Sequence, residues 1–196
     1  MKNLTRLLFV ASLAVGLLAP VRAAVETYTI DPVHSTIQFS LRHIVSRFTG
    51  SFTQVSGKVT VDRANLENSS VEAVIDVGSV QTANEKRNNH LKSPDFFDAA
   101  KYATITFKST SWKKTGDDTF DVAGNLTIKD VTKPVVLQVK LLGFSPGMKP
   151  GTQLSGWEVT TTLHKSDFNV NGPAMLSKAL GDEVAVNIGV EAGTQP

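Results

Sequence analysis

An antiparallel sheet of eight strands closed into a barrel, with a short helical crossover between strands three and four, is the fold class this sequence predicts. Two observations carry that prediction. Apolar and polar residues alternate with a period of two through most of the chain, which marks strands buried on one face only. Turn-forming clusters cut the pattern into about eight such runs, with a single helical interruption. Antiparallel strands with one apolar face must cover it, and one crossover is too small a lid. Closing the sheet on itself buries the face and removes the edges. A two-sheet sandwich is the structural alternative.

The elements follow in order. Ile37, Phe39 and Leu41 share one face of the first long strand, and Gln38, Ser40 and Arg42 share the other. Val59 and Val61 mark the second strand; Val71, Ala73, Ile75 and Val77 mark the third. Ile105 and Phe107 belong to the fourth, and Phe120, Val122, Leu126 and Ile128 to the fifth. Val135, Leu137, Val139 and Leu141 form the sixth, then Trp157, Val159 and Leu163 the seventh. Val184, Val186, Ile188 and Val190 complete the set. Thr115–Asp118 and Gly143–Gly151 read as turns. Between strands three and four, Thr82 and Glu85 have capping-box spacing, and Ser93-Pro94 reads as the cap and first residue of a second short helix. Residues 171–181 read as a further short helix or an ordered loop. An eight-stranded barrel either fills its interior with side chains or encloses one small ligand. The Val/Ile-rich inward set, with Gly124 among it, leaves room for a cavity.

Residues 1–23 read as a secretory leader rather than structure. Lys2 and Arg6 precede Leu7–Leu18, an uncharged run of 12 residues, and Val21-Arg22-Ala23 offers small residues before a cleavage point. That run is shorter than the roughly 20 residues a helix needs to cross a bilayer. Three of the 20 Lys/Arg and none of the 18 Asp/Glu lie in the leader, so residues 24–196 carry 17 against 18, a net charge of −1. A near-neutral domain without a dense basic stripe is poorly suited to nucleic acid or to an anionic membrane. No cysteine is present, so neither a disulfide nor lipid attachment at a cysteine enters the reading. Residues 24–196 suit one domain with an adequate core.

Few residues invite chemistry. Asp31, His34 and Ser35 suggest a triad, but adjacent strand residues point to opposite faces, and no Gly-x-Ser-x-Gly elbow is present. The four histidines, His34, His43, His90 and His164, match no compact ligand spacing. No catalysis, metal or cofactor is therefore expected. Arg87 and His90 are three apart on one helix face with Leu91 beside them, placed either to meet a polar head group or to pair on the surface. Adjacent Phe96 and Phe97 put at least one ring toward the barrel end.

Three stretches carry a resemblance: Tyr28–His43 with Asp31-Pro32, His34-Ser35, Phe39 and Arg42-His43; Arg87–Phe97 with His90, Leu91, Ser93 and Asp95; and Gly124–Val136. In this order and spacing they resemble the YceI-like family across roughly residues 25–193. The resemblance implies a lipocalin-like barrel in the periplasm that binds polyisoprenoids or other amphiphilic lipids. Isoprenoid quinones, fatty acids and fatty amides are the close alternatives, and carriage, storage or stress protection the roles. A filled barrel acting as an interaction protein is the alternative of another class. The expected partners are an amphiphilic lipid and, in a homodimer, a second copy of the chain, with no nucleic acid and no stable membrane anchor. The interior set expected to meet the lipid is Phe39, Leu41, Val59, Val61, Phe96, Phe97, Ile105, Phe107, Phe120, Leu126, Ile128, Leu137, Val139, Trp157, Val186 and Ile188. The polar head-group candidates are His34, Arg42, His43, Arg87 and His90.

The leader generates the first prediction. Intact-mass measurement of the exported protein is expected to give a chain beginning at Ala24 or within a residue or two of it. Full-length chain in the membrane fraction would refute cleavage.

Overall fold

A computed structural model describes residues 25–195; the leader falls outside these described residues. Eleven strand segments form one sheet: β1 (Val25–Ile30), β2 (Thr36–His43), β3 (Ser46–Phe52), β4 (Val55–Asp62), β5 (Ser70–Asp76), β6 (Val80–Gln81), β7 (Thr104–Lys114), β8 (Thr119–Ile128), β9 (Val131–Pro146), β10 (Gln153–His164) and β11 (Leu180–Gly193). Three pairs of segments are single strands with a local break. β1 and β2 both pair with β11, through Ile30↔Ala192 and then Gly189↔Thr36 to Leu180↔His43. β4 pairs with β1 while β3 pairs with β2. β5 pairs with β4 while β6 pairs with β3. The result is eight long antiparallel strands in chain order, closed where the first meets the last.

The breaks have local causes. Pro32 cannot donate to a ladder, and Asp31 Oδ1 accepts from the backbone N–H of Val33 at 2.7 Å, so the chain turns there. At Thr53-Gln54 the ladder is bridged from outside: Thr53 N donates to Ser79 O and Gln54 N to Ser79 Oγ. Two bulges matter more. Between Ser109 and Ser111 on β7, and opposite Gly156/Trp157 on β9, an extra residue is inserted. Each reverses which parity faces inward. Odd-numbered Ile105 and Phe107 therefore give way to inward Trp112, and odd Leu141 to inward Phe144.

The crossover contains one α-helix, α1 (Glu85–Lys92). Its cap is Asn84, whose side chain accepts from Arg87 N, and not Thr82 as the capping-box spacing suggests. Thr82 is instead buried, donating to Asn88 Oδ1 at 2.6 Å. The second helix expected at Ser93-Pro94 is also absent. Ser93 is the C-cap of α1, its N–H and hydroxyl both bonding His90 O, and the chain continues as turns. Residues 174–176 form a 3₁₀ turn within the loop before β11.

Strand direction places the β2–β3 turn, the crossover, the β8–β9 turn and the β10–β11 loop at one end of the barrel. The other end is closed by aromatic packing. Tyr28, fully buried, sits 6.1 Å from Phe144, which lies 6.2 Å from Trp157; Trp112 is 5.6 Å from Trp157 and 5.9 Å from Phe120. Arg63 caps this floor, its guanidinium 4.2 Å over the Phe144 ring, its Nε 2.9 Å from Glu26, and its Nη2 donating to the Tyr28 hydroxyl.

Glycines on the inward face are occupied by neighbouring rings. A Cβ at Gly50 would lie 2.5 Å from Phe39 Cζ, and one at Gly124 would lie 2.4 Å from Phe107 Cζ and 2.6 Å from Lys108 O. Gly124 thus makes room for the Phe107 ring rather than for a cavity, correcting the sequence expectation. Replacing Gly124 with Ala is expected to destabilise the fold by about 1–3 kcal/mol through overpacking. Denaturant unfolding should show a lower midpoint at unchanged slope; an unchanged midpoint would show that Phe107 can move aside freely.

Candidate functional site

Above the floor the barrel interior is not filled. A cavity of about 690 Å³ runs along it, within the range of small-molecule sites, about 300–1,000 Å³. Its floor is Trp112 and Trp157. Its walls come from every long strand: Ile37, Phe39 and Leu41 on β2, Phe48 and Phe52 on β3, Val59 on β4, Val71, Ala73 and Ile75 on β5, and Ile105 and Phe107 on β7. Val122, Leu126 and Ile128 of β8, Leu137 and Val139 of β9, and Val159 and Leu163 of β10 continue it, with Val184, Val186, Ile188 and Val190 of β11 closing the circuit. The inward residues of β11 stay only half-buried because they face this space.

The cavity opens at the loop end. Lining residues there, His43, Ser46, Arg47, Thr49 and Arg87, are exposed, whereas Ile30, Val59, Val122 and the two tryptophans at the other end are buried. β3 pairs with β6 only at Ser51 and Phe52, so its upper edge is free of a strand partner and stands beside α1. Arg87 of α1 lies 4.6 Å over the Phe48 ring. It is held there by its own helix start, Nε donating to Thr82 Oγ1 at 3.0 Å and Nη2 to Thr82 O at 2.6 Å. His90 pairs with Asp95 at 2.8 Å and meets the Phe96 ring edge-on at 5.0 Å. Phe39, Phe52 and Phe97 continue the aromatic wall inward at 5.6 and 5.7 Å. Lys165 also lines the cavity, and no Asp or Glu is among the described lining residues.

The structure brings most of the expected set together. Phe39, Leu41, Val59, Phe96, Phe97, Ile105, Phe107, Leu126, Ile128, Leu137, Val139, Trp157, Val186 and Ile188 line the cavity, as do His43, Arg87 and His90. Four expected residues lie off its wall. Val61 and Phe120 point inward and are buried, but at the bottom ends of β4 and β8, where they pack in or beside the floor. Arg42 alternates with Leu41 and His43 and so faces outward, its Nη1 donating to Ile44 O. His34 sits at the break between β1 and β2, its Nδ1 2.8 Å from Asp31 and 3.7 Å from Glu191. Ser35 turns the other way, exchanging hydrogen bonds with the Glu191 backbone, so His34 and Ser35 form no nucleophile–base pair.

Sequence reasoning missed Trp112 and the inward face of β3. The bulge hid the first, since parity before it excludes position 112. The run Ser46–Phe52, with Arg47 and Gly50 in it, has too few apolar residues to signal a strand. The Trp112 indole N–H is buried without an acceptor among the described residues, at the cavity floor.

A YceI-like domain model matches residues 28–192. The chain belongs to the YceI-like family. Curated relatives include a UPF0312 protein of Ectopseudomonas mendocina, 39% identical over 78% of this chain and 83% of that one. Another from Azotobacter vinelandii is 37% identical over 94% and 97%. Among solved structures, BcnA of Burkholderia cenocepacia superposes with a TM-score of 0.73 at 25% identity, covering 83% of this chain and 99% of that one. The Campylobacter jejuni YceI protein gives 0.69 at 30% identity, covering 78% and 88%. A polyisoprenoid binding domain from Saccharophagus degradans shares the fold at 18% identity, with a TM-score of 0.65 and coverage of 86% and 98%.

The Asp31–His34 pair, closing the first strand against β11, makes stability depend on pH. His34 is raised above the usual imidazole value, first by its hydrogen bond to Asp31 and then by the charges of Asp31 and Glu191. Asp31 is lowered, first by the same bond and then by Val33 N–H. The raised His34 stabilises below its unfolded value and loses that effect as pH rises through its folded value. The lowered Asp31 stabilises above its unfolded value and loses it as pH falls through its folded one. Wild type is therefore expected to melt above His34→Gln at about pH 5.5, with the gap closing by about pH 9. A gap that persists at the higher pH would assign His34 a role without charge.

Proposed function

We propose that the protein binds one long amphiphilic lipid, its chain in the barrel and its polar head at the mouth. The cavity carries this reading: an apolar tube of about 690 Å³, closed by tryptophans and opening among His43, Arg47, Arg87 and His90. Each buried CH₂ contributes about 0.8 kcal/mol, so a long chain needs few directional contacts. Arg47 and Arg87 at the mouth suit a head that accepts hydrogen bonds or carries negative charge, His90 being paired with Asp95. Polyisoprenoids are the ligand class favoured by family membership and by the Saccharophagus degradans domain of the same fold; isoprenoid quinones and fatty acids or amides share the required shape. The role is carriage or storage in the periplasm after removal of the leader, without a catalytic step. The unfilled interior counts against a filled-barrel interaction protein.

Native mass spectrometry of protein purified without detergent, followed by organic extraction, tests this. About one lipid per chain is expected, with a negative heat-capacity change on uptake. Val186→Trp, which fills the cavity without burying a charge, is expected to exclude the lipid while far-UV circular dichroism stays unchanged. Val186→Trp binding as wild type, or wild type neither carrying nor taking up any such lipid, would overturn the reading.

A further inference from the structure

The turn joining β2 to β3 breaks two local rules at once. His43 and Ser46 pair directly, so Ile44 and Val45 are the whole turn, and Ile44 takes φ +51°. Asn or Gly is the usual occupant of such a position, and a β-branched residue there is strained. Both residues also face solvent, Val45 at 96% and Ile44 at 55% exposure. One pair below, Arg42 and Arg47 stand directly opposite each other, a like-charge pair that weakens a sheet. The domain's near-neutral net charge does not by itself point to an anionic surface, but no carboxylate occurs between Asp31 and Asp62, and Arg42 and Arg47 make the tip of this finger locally basic. It is also held firmly: Arg42 Nη1 donates to Ile44 O at 2.8 Å, Ser46 Oγ to His43 O at 3.1 Å, and Ile44 N to Ala179 O at 2.7 Å. That last bond ties the finger to the loop that carries Met175, 84% exposed, and Lys178.

We propose that this finger and the Met175 loop dock the mouth reversibly onto a bilayer surface bearing anionic lipids. Isolated apolar side chains on a convex, cationic tip suit the interfacial region of a membrane, where apolar groups sink among headgroups and basic ones stay at the surface. A protein partner would need a patch of about 800 Å² on each side, which three protruding side chains do not make. Placement beside the cavity mouth gives docking its purpose, transfer of a chain between bilayer and barrel. That purpose rests on the proposed function, but docking itself is measured separately.

The test is flotation of the protein, as isolated from cells, with vesicles of phosphatidylcholine alone or with about one-third phosphatidylglycerol. Wild type is expected to float with the anionic vesicles, and less so at high salt, where exposed charges are screened within about 3 Å. Val45→Asp should weaken partition about tenfold or more, and Arg42→Gln about fivefold. Met148→Asp, exposed at the opposite end, should change nothing. Val45→Asp should keep its melting temperature and still take up lipid offered in ethanol. Wild type left unfloated, Val45→Asp floating like wild type, Met148→Asp losing as much, or a stoichiometric complex with an acidic protein in place of vesicle binding would each overturn docking. Flotation that depends on Val45 in a protein that takes up no lipid supports docking and refutes the carrier.

Discussion

Closure of the sheet along β11 is the constraint on which everything else in this molecule depends. β11 pairs with β10 from Leu154↔Gly193 to His164↔Glu183, and on its other side with both halves of the first strand. Leaving either side unpaired would expose a long strand edge and the inward faces of eight strands to water. With it, the apolar residues share one enclosed space. The Asp31–His34–Glu191 contact sits where the ladder of that seam is interrupted between β1 and β2, and links the first strand to β11 across the gap.

Closure does not by itself leave a cavity, since a barrel of this size can fill itself. Here Trp112 and Trp157 close the floor, and above them Val, Ile and Leu with a few phenylalanines line a space of about 690 Å³ that their side chains leave open. Half-buried β11 side chains facing this space lack the contacts a core would give them. A ligand that supplies those contacts binds only the folded state, so occupancy adds stability by mass action, about 2.7 kcal/mol at a hundredfold excess over Kd. Holding a lipid and completing the core are on this account the same event.

The strands were legible because alternation is a direct consequence of one buried face. It located all eight strands, and the inward residues of β2, β5, β8 and β11 follow it without exception. It failed where the backbone departs from regular pleating. The bulges on β7 and β9 shift parity, so Trp112 and Phe144 of the floor stand at positions the pattern assigns to solvent. Depth along a strand is equally invisible to it, which is why Val61 and Phe120 share a face with the cavity wall yet lie below the cavity. Asn84 displaced Thr82 as helix cap because Thr82 finds buried partners in Asn88 and Arg87, a tertiary preference no local spacing encodes. His34 was misplaced for the same reason: its partner Glu191 is 157 positions away in sequence.

The departures from local rules are distributed unevenly, and their distribution separates folding from function. The turn at Thr115–Asp118 uses small polar residues, and the floor end satisfies Arg63 with Glu26, Tyr28 and Phe144. At the mouth, the two-residue β2–β3 turn carries Ile44 and Val45, arginines oppose each other, and the upper edge of β3 has only the strand partner β2. A barrel selected only to fold would place Asn-Gly at the turn and opposite charges below it, at no cost to closure. Violations of local consistency persist where something other than stability holds them in place. At the opening, these departures fall on the face that anything entering the barrel must pass.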